Sequence, residues 1–364
     1  MPPSDLDWMK RALARAEKGR GRTSPNPMVG AVVVRAGKGV GEGHHAYFGG
    51  PHAEVVALRR AGRRAQGATL YVTLEPCSTW GKTPPCVDAM IASGVKRVVI
   101  GSADPNPQNR LTGIRKLKRA GIRVQVGVCT CEVQRQNQSF FKAMRTGLPF
   151  VTLKMAQSLD GKIAATSGES RWVSSPASRQ LVHRLRSEAD AVLVGKNTAL
   201  LDNPRLRGVN GGTKPWRVVL DPDLELRPTA RVFKGPQMTL LAVSEKKLKE
   251  RFETRFQGKG HIFLPLPERK GRLELKPLLQ KLVSLGVHHL LVEGGGELAW
   301  SLIQEGWVDR LIWIVAPKIV GGRKAKTSVE GEGVEKLSQA FALRWDRIYP
   351  SGDDWVLEAE LAHS

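Results

Sequence analysis

A His-Ala-Glu triplet and two cysteines, flanked by prolines, are the residues whose types and spacing most directly suggest chemistry. Pro51-His52-Ala53-Glu54 opens a predicted helix, Glu75-Pro76-Cys77 follows a strand-like run, and Cys86 begins the next predicted helix after Thr83-Pro84-Pro85. His52, Cys77 and Cys86 offer one imidazole and two thiolates to a single Zn2+, leaving a fourth tetrahedral position for water, which is the composition of a catalytic site. Glu54, two residues past the histidine, is then free to hold that water and move its proton. Cys86 at a helix start is expected to have its thiolate favoured by the positive end of the helix dipole. Far downstream, His289-Leu-Leu-Val-Glu293 runs into Gly294-Gly295-Gly296 and a helical stretch over 297–304. A strand, a glycine turn and a helix start can cradle a phosphate on backbone N–H groups, although this is not the Gly-x-Gly-x-x-Gly of a dinucleotide fold.

The elements that must position these groups alternate between strand and helix along the whole chain. Apolar runs predict strands at 29–34, 68–74, 96–100 and 123–128, with helices over 6–18, 52–61, 85–93 and 111–120 between and before them. A pause at Arg145-Thr-Gly-Leu-Pro suggests a boundary, giving domains 1–148 and 149–364. Beyond it, strands are predicted at 150–155, 191–194, 217–220, 239–243, 289–292 and 310–315, with helices at 178–187 and 276–285. This is an α/β pattern repeated twice, which a length of 364 residues accommodates. Every apolar run is interrupted well short of the ~18 residues that a membrane span needs. The N-terminus lacks a basic stretch followed by an apolar one, so a cytoplasmic protein without a leader is expected. Four cysteines are too few for a disulfide scaffold, and Cys129 and Cys131 are read as packing residues. The formal charge of +23 invites a nucleic-acid reading. Residues 1–148 hold 24 basic against 9 acidic side chains, so the excess is concentrated there, but only 6% of the chain is aromatic, which is poor for stacking bases.

His52-Ala-Glu54 followed by Pro76-Cys77 matches the start of the zinc nucleobase-deaminase signature, with eight residues between the cysteines in place of two. The loop Ser78-Thr-Trp-Gly-Lys82-Thr-Pro-Pro85 narrows the match. Together with Pro25-Asn26-Pro-Met-Val-Gly30, Gly43-His-His45 and Asp104-Pro-Asn106-Pro107, it resembles the deaminase half of the bifunctional riboflavin-biosynthesis deaminase/reductases. The second half carries Lys154-Met-Ala156-Gln-Ser-Leu-Asp-Gly-Lys162, Ser170-Arg-Trp172-Val-Ser174, Leu201-Asp202-Asn-Pro204, Val219-Leu-Asp221 and Ala316-Pro-Lys-Ile-Val-Gly-Gly322, and resembles the reductase half of the same family. The resemblance spans almost the whole chain. It implies an α/β protein with an N-terminal cytidine-deaminase-like three-layer domain and a C-terminal dihydrofolate-reductase-like domain. The implied cofactors are one Zn2+ per chain in the first domain and NADPH in the second.

Carried over residue by residue, the resemblance implies Glu54 as catalytic and His52, Cys77 and Cys86 as metal ligands. Asn26, His45, Lys82, Asp104 and Asn106 would contact the deaminase substrate. Lys154, Ser170, Arg186, Leu206, Arg207 and Glu293 would contact the reductase substrate, and Ala156, Trp172, Thr198, Asp202, Gly295 and Gly296 the cofactor. Four places depart from the family's habit: Thr79 replaces a histidine, Gln108-Asn-Arg-Leu-Thr-Gly113 a glycine-rich turn, Val209 an arginine, and Pro222 a hydroxyl residue. The expected reactions are hydrolytic deamination of 2,5-diamino-6-(5-phosphoribosylamino)pyrimidin-4-one and reduction of the resulting ribosyl group to ribityl. Expected partners are small phosphorylated pyrimidines, with no nucleic acid and no membrane, and homo-oligomerisation is left open. The competing readings are a zinc deaminase acting on nucleic-acid bases and a family member with one active half.

Overall fold

Val32 and Val33, fully buried, mark the centre of the first of two sheets. They lie in β1 (Gly30–Arg35), and the other strands are β2 (Lys38–His44), β3 (Thr69–Leu74), β4 (Arg97–Ser102) and β5 (Arg123–Val126). The computed structural model describes residues 3–209, 215–248, 261–269 and 271–362. The chain divides into two units, Met1–Leu148 and Pro149–Ser364.

In the first unit the strand order is β2-β1-β3-β4-β5. β1 is antiparallel to both neighbours, while β3, β4 and β5 run parallel. Helices cover both faces, because the strands are apolar on both sides. On one face α1 (Asp5–Ala16) packs Trp8, Met9 and Ala12 with Val32, Val34 and Tyr71. Its start is fixed by Ser4, whose side chain accepts from the Asp7 N–H while Asp7 accepts in return. On the other face α2 (Ala53–Ala61), α3 (Cys86–Ala92) and α4 (Thr112–Arg119) bury Ala57, Met90 and Leu117 with Val33, Leu70 and Ile100. Two helices, α5 (Thr130–Gln136) and α6 (Gln138–Thr146), end the unit.

The second unit is built on a nine-stranded sheet. Its strands are β6 (Phe150–Ser158), β7 (Ala191–Gly195), β8 (Trp216–Leu220), β9 (Thr239–Ser244), β10 (His261–Leu266), β13 (His289–Glu293), β14 (Arg310–Ala316), β15 (Leu343–Ser351) and β16 (Asp354–Leu361). A separate two-stranded ribbon pairs β11 (Glu268–Arg269) with β12 (Arg272–Leu273). The order β10-β9-β8-β7-β13-β6-β14-β16-β15 is parallel through β14 and ends in an antiparallel hairpin. Among the helices, α7 (Pro176–Glu188), α8 (Lys196–Asp202), α9 (Leu275–Ser284) and α10 (Gly296–Gln304) link or flank these strands.

Most predicted elements recur within a few residues of their expected ends. The strands β2 and β10, the helices α5, α6 and α8, the β11–β12 ribbon and the β15–β16 hairpin had no counterpart in the expectations. In β2 the cause is glycine. A Cβ on Gly43 would sit 2.2 Å from the Ala53 carbonyl oxygen and 2.7 Å from the Ala57 nitrogen, so a bare backbone is what lets the first turn of α2 lie on the strand. His52, the residue that caps α2, is held in place by this contact. Gly43→Ala should therefore cost about 1–3 kcal/mol in stability through overpacking. It should also lower bound metal, both measurable by thermal unfolding and metal analysis of the purified variant.

Candidate active sites

The first site forms where β3 and β4 end and α2 and α3 begin, the usual location for a binding crevice in an α/β sheet. His52 precedes α2 in extended backbone, Cys77 lies three residues past β3, and Cys86 is the first residue of α3. These turns bring their ligand atoms within 4.8 Å of one another. His52 Nδ1 is 2.9 Å from Cys86 Sγ and 3.5 Å from Cys77 Sγ. The Cys86 backbone N–H, at the start of α3, donates to Cys77 Sγ at 3.3 Å. The helix start thus serves the Cys77 sulfur as well, a contact with no part in the sequence reading. The bond from the Cys86 thiol, followed by His52, holds the Cys77 thiol below its ordinary value, while that bond and burial push Cys86 up. His52 is raised, first by its bond to Cys77. Two thiols and an imidazole packed this closely compete for protons, and a soft divalent cation would replace those protons, so the donor set fits zinc.

Glu54 is only 3% exposed and sits in the first turn of α2. Burial raises its carboxyl above the ordinary range, against the nearby His52 charge. His45 is also buried; its Nδ1–H donates to the Pro51 carbonyl at 3.1 Å, which leaves Nε2 to accept from Asn26 Nδ2 at 3.2 Å. Burial lowers His45, favouring the neutral ring this tautomer requires. Its ring meets that of His52 edge-on at 5.3 Å. Lys82 places its ammonium 3.9 Å from the centre of the Phe48 ring. Asp104 is buried, and its Oδ1 accepts from the Asn106 N–H at 2.8 Å.

The second site lies at the carboxyl ends of β6, β7 and β13. Register places Lys154 beside Glu293 on adjacent parallel strands. Glu293 is 6% exposed and accepts from Arg186 Nε at 2.6 Å and Nη2 at 2.8 Å, with Lys154 Nζ at 3.5 Å. Burial opposes its ionisation, but Arg186 and then Lys154 outweigh that and hold it at about 2. Arg186 also reaches the Arg207 carbonyl at 3.4 Å, which accepts from His183 as well. The Arg207 guanidinium itself lies against Gly235. Leu206 is buried with a left-handed backbone, φ +50°. Ser170 donates to Asp202 at 2.7 Å. Trp172 is exposed beneath the Arg179 guanidinium, and Lys318 donates to its carbonyl at 2.8 Å.

The glycine turn after β13 meets Thr198 in α8. A Cβ on Gly294 would fall 2.7 Å from Thr198 Oγ1, and Gly295, at φ +55°, caps α10. This is a cradle that only bare backbone leaves open at a helix start, and it suits a phosphorylated cofactor. Ala156 lies near the carboxyl end of β6.

Several participants had no role in the expectations. Thr83 lies 3.4 Å from His52 Nε2, and Asp160 accepts the N–H groups of Val320 and Gly321, tying the turn after β6 to the segment after β14. Glu75 is buried among backbone amides. A carboxylate immediately after the apolar run Leu70-Tyr-Val-Thr-Leu74 was the available signal for it.

Comparison with known proteins assigns both halves. Residues 2–102 match the family model described as the cytidine and deoxycytidylate deaminase zinc-binding region, and residues 149–357 match the RibD C-terminal domain. The riboflavin biosynthesis protein RibD of Aquifex aeolicus (strain VF5) is 44% identical over 355 residues, 97% of each chain. That of Escherichia coli (strain K12) is 42% identical over 367 residues, 97% of this chain and 98% of its own. Among solved structures, Acinetobacter baumannii RibD superposes with a TM-score of 0.89 at 36% identity, covering 99% of each chain. The diaminohydroxyphosphoribosylaminopyrimidine deaminase/5-amino-6-(5-phosphoribosylamino)uracil reductase of Thermotoga maritima does so at 0.86 and 35%, covering 98% and 99%.

The Glu293 carboxylate gives unit 2 a defined acid sensitivity. Its pKa lies below the ordinary 4.5, so its contribution is complete above pH 4.5 and is lost as pH falls to about 2. Glu293→Gln should remove that pH dependence and cost a few kcal/mol near neutrality, on the order expected for an uncompensated buried charge. Urea unfolding at pH 7 and pH 3 measures both effects.

Proposed function

The chain belongs to the RibD family of bifunctional riboflavin-biosynthesis enzymes, and from that premise we propose which of its side chains carry each reaction. It is a zinc-dependent deaminase joined to an NADPH-dependent reductase, a cytidine-deaminase-like unit followed by a dihydrofolate-reductase-like one. It deaminates 2,5-diamino-6-(5-phosphoribosylamino)pyrimidin-4-one and then reduces the ribosyl side chain of 5-amino-6-(5-phosphoribosylamino)uracil to ribityl. We assign the first reaction to residues 1–148 and the second to 149–364. The observation that carries the reading is the buried Glu54 carboxyl, two residues past His52, with the imidazole and two sulfurs of His52, Cys77 and Cys86 lying within 4.8 Å of one another.

In the deaminase half His52, Cys77 and Cys86 hold the zinc, which when bound brings the pKa of a water into the neutral range. Glu54 takes a proton from the attacking water and returns it to the departing amino group. The raised carboxyl suits this role, since a group that both accepts and donates works best when its two forms are close in energy. His45, fixed by Pro51, orients Asn26 toward the pyrimidine, and Asp104 and Asn106 bind its polar edge. Lys82 suits the ribose phosphate, because its ammonium is held over a ring and is not neutralised by a carboxylate in any described ion pair.

In the reductase half NADPH, when bound, supplies the hydride. Thr198, Asp202, Trp172, Ala156 and the Gly295-Gly296 turn hold the cofactor. Lys154, Ser170, Arg186, Leu206, Arg207 and Glu293 form the substrate side. The bidentate Glu293 pair fixes the Arg186 fork, and Arg207 contributes through its carbonyl. Lys154, tethered to the same carboxylate, carries the cationic end of this wall toward an anionic substrate.

We propose a cytoplasmic protein with one surface suited to self-association. None of its four cysteines forms a disulfide, and no described helix is long and apolar enough to cross a membrane. For self-association the support is β15, an edge strand exposing Leu343, Trp345 and Ile348, since an open apolar edge is a template for pairing with a second copy.

Glu54→Gln should lower ammonia release by about 100-fold or more, the contribution of a positioned acid-base group. NADPH oxidation on the deaminated intermediate should be unchanged. Purified protein should contain about one zinc per chain, and a strong chelator should abolish ammonia release while sparing the reductase. Normal deamination by the Glu54 variant would rule out its assigned role.

A further inference from the structure

Glu75 follows β3 directly, and Leu74 pairs with Ser102, so the segments leaving β3 and β4 emerge side by side. The first leads to Cys77 and the second to Asp104 and Asn106. Glu75 is 5% exposed, and its carboxylate points into the second segment. Oε2 accepts the backbone N–H groups of Asp104 and Leu111 at 3.1 Å each, and Oε1 accepts that of Ile114 at 3.3 Å. Residues 104–114 therefore wrap around one buried carboxyl group. Their shape requires it: Leu111 has a left-handed backbone, φ +63°, which a branched side chain rarely adopts. At Gly113 a Cβ would fall 2.1 Å from the Pro76 carbonyl oxygen.

Side chains complete the attachment. Ser78 donates to Thr112 Oγ1 at 2.7 Å, and Thr79 donates to Asn109 Oδ1 at 3.1 Å. Asn109 in turn lies beside Asp104 and favours the charged form of its carboxyl, against the burial that raises it. The loop bearing Cys77 is thus tied through Ser78 and Thr79 to the segment that carries Asp104. Thr79, which stands where the family resemblance leads one to expect a histidine, makes its bond to Asn109.

We propose that Glu75 is a positioning residue for the deaminase substrate: by holding residues 104–114 against the metal-ligand loop it fixes Asp104 and Asn106 relative to Cys77 and so sets affinity for the pyrimidine. This rests on the deaminase reading above. All three amides that Glu75 binds belong to the segment carrying the two substrate contacts, and none belongs to a strand of the sheet. A carboxylate with only a packing role would be replaceable by an apolar side chain, which would leave these amides buried without acceptors.

The test uses the full-length zinc-loaded enzyme. Glu75→Gln preserves size but puts an NH2 group against at least one of the three amides. KM for the diaminopyrimidine should rise about 10- to 100-fold, the span of a lost charge-assisted hydrogen bond. Zinc content, kcat and NADPH oxidation on the deaminated intermediate should stay near wild type, and hydrogen exchange should quicken at Asp104, Leu111 and Ile114 but not in β4. Asn109→Ala, which breaks the bond to Thr79 without touching Glu75, should raise KM by about 2- to 10-fold. It decides the matter if the Glu75 variant does not fold. An unchanged KM in the folded variants, or loss of zinc and reductase activity along with affinity, overturns the positioning role. If the wild-type enzyme releases no ammonia from this pyrimidine, the deaminase reading fails first and the proposal falls with it.

Discussion

Taking charge out of water at the ends of parallel strands is the constraint on which both halves of this protein depend. A carboxyl, an imidazole and two sulfurs are brought together in the first unit, and a carboxylate with two cations in the second. Neither set is stable as isolated charges in a protein interior. In the second unit the answer is internal, since Glu293 is matched by Arg186 and Lys154 and stays ionised. In the first unit the opposite shifts of Cys77 and Cys86 and the raised carboxyl of Glu54 are the compensation that the chain makes from its own groups. A divalent cation satisfies the same sulfurs more fully, and this is why metal binding and the geometry of the surrounding turns are one problem.

The sheets solve the placement of these groups in related ways. In both, parallel neighbours deliver polar residues to the same edge: Glu75 next to the segment after Ser102, and Glu293 next to Lys154. Helix starts then face that edge, those of α2 and α3 in one unit and that of α10 in the other. Glycine supplies the close approaches, with Gly43 admitting α2 onto its strand and Gly294 lying against Thr198. Rigid strands therefore set the spacing of groups that the intervening loops, read alone, would leave unrestrained.

Much of this was legible in the residues. His52, Glu54, Cys77 and Cys86 identified themselves by chemical type and by the prolines that set their turns, and alternating apolar runs located most strands. What could not be read depends on which strands become neighbours. The contact of Glu293 with Lys154 and Arg186 joins positions more than a hundred residues apart. The three amides on Glu75 and the tautomer of His45 follow from loop conformations with no periodic signature. Three glycines in Lys38–His44 mimic a loop, although two of them, Gly41 and Gly43, are there to receive a helix. The +23 charge promised more than it delivered: the residues assigned to substrate and cofactor use only a few of the 57 basic side chains.

The central claim is that one chain performs two reactions in a fixed order, deamination before reduction. A time course of the wild-type, zinc-loaded protein with the phosphorylated diaminopyrimidine and NADPH, following ammonia and NADPH together, tests it directly. The account predicts that ammonia appears first and that NADPH oxidation follows it, reaching equal amounts. Oxidation of NADPH without prior ammonia release, or ammonia release with no later oxidation, would contradict it.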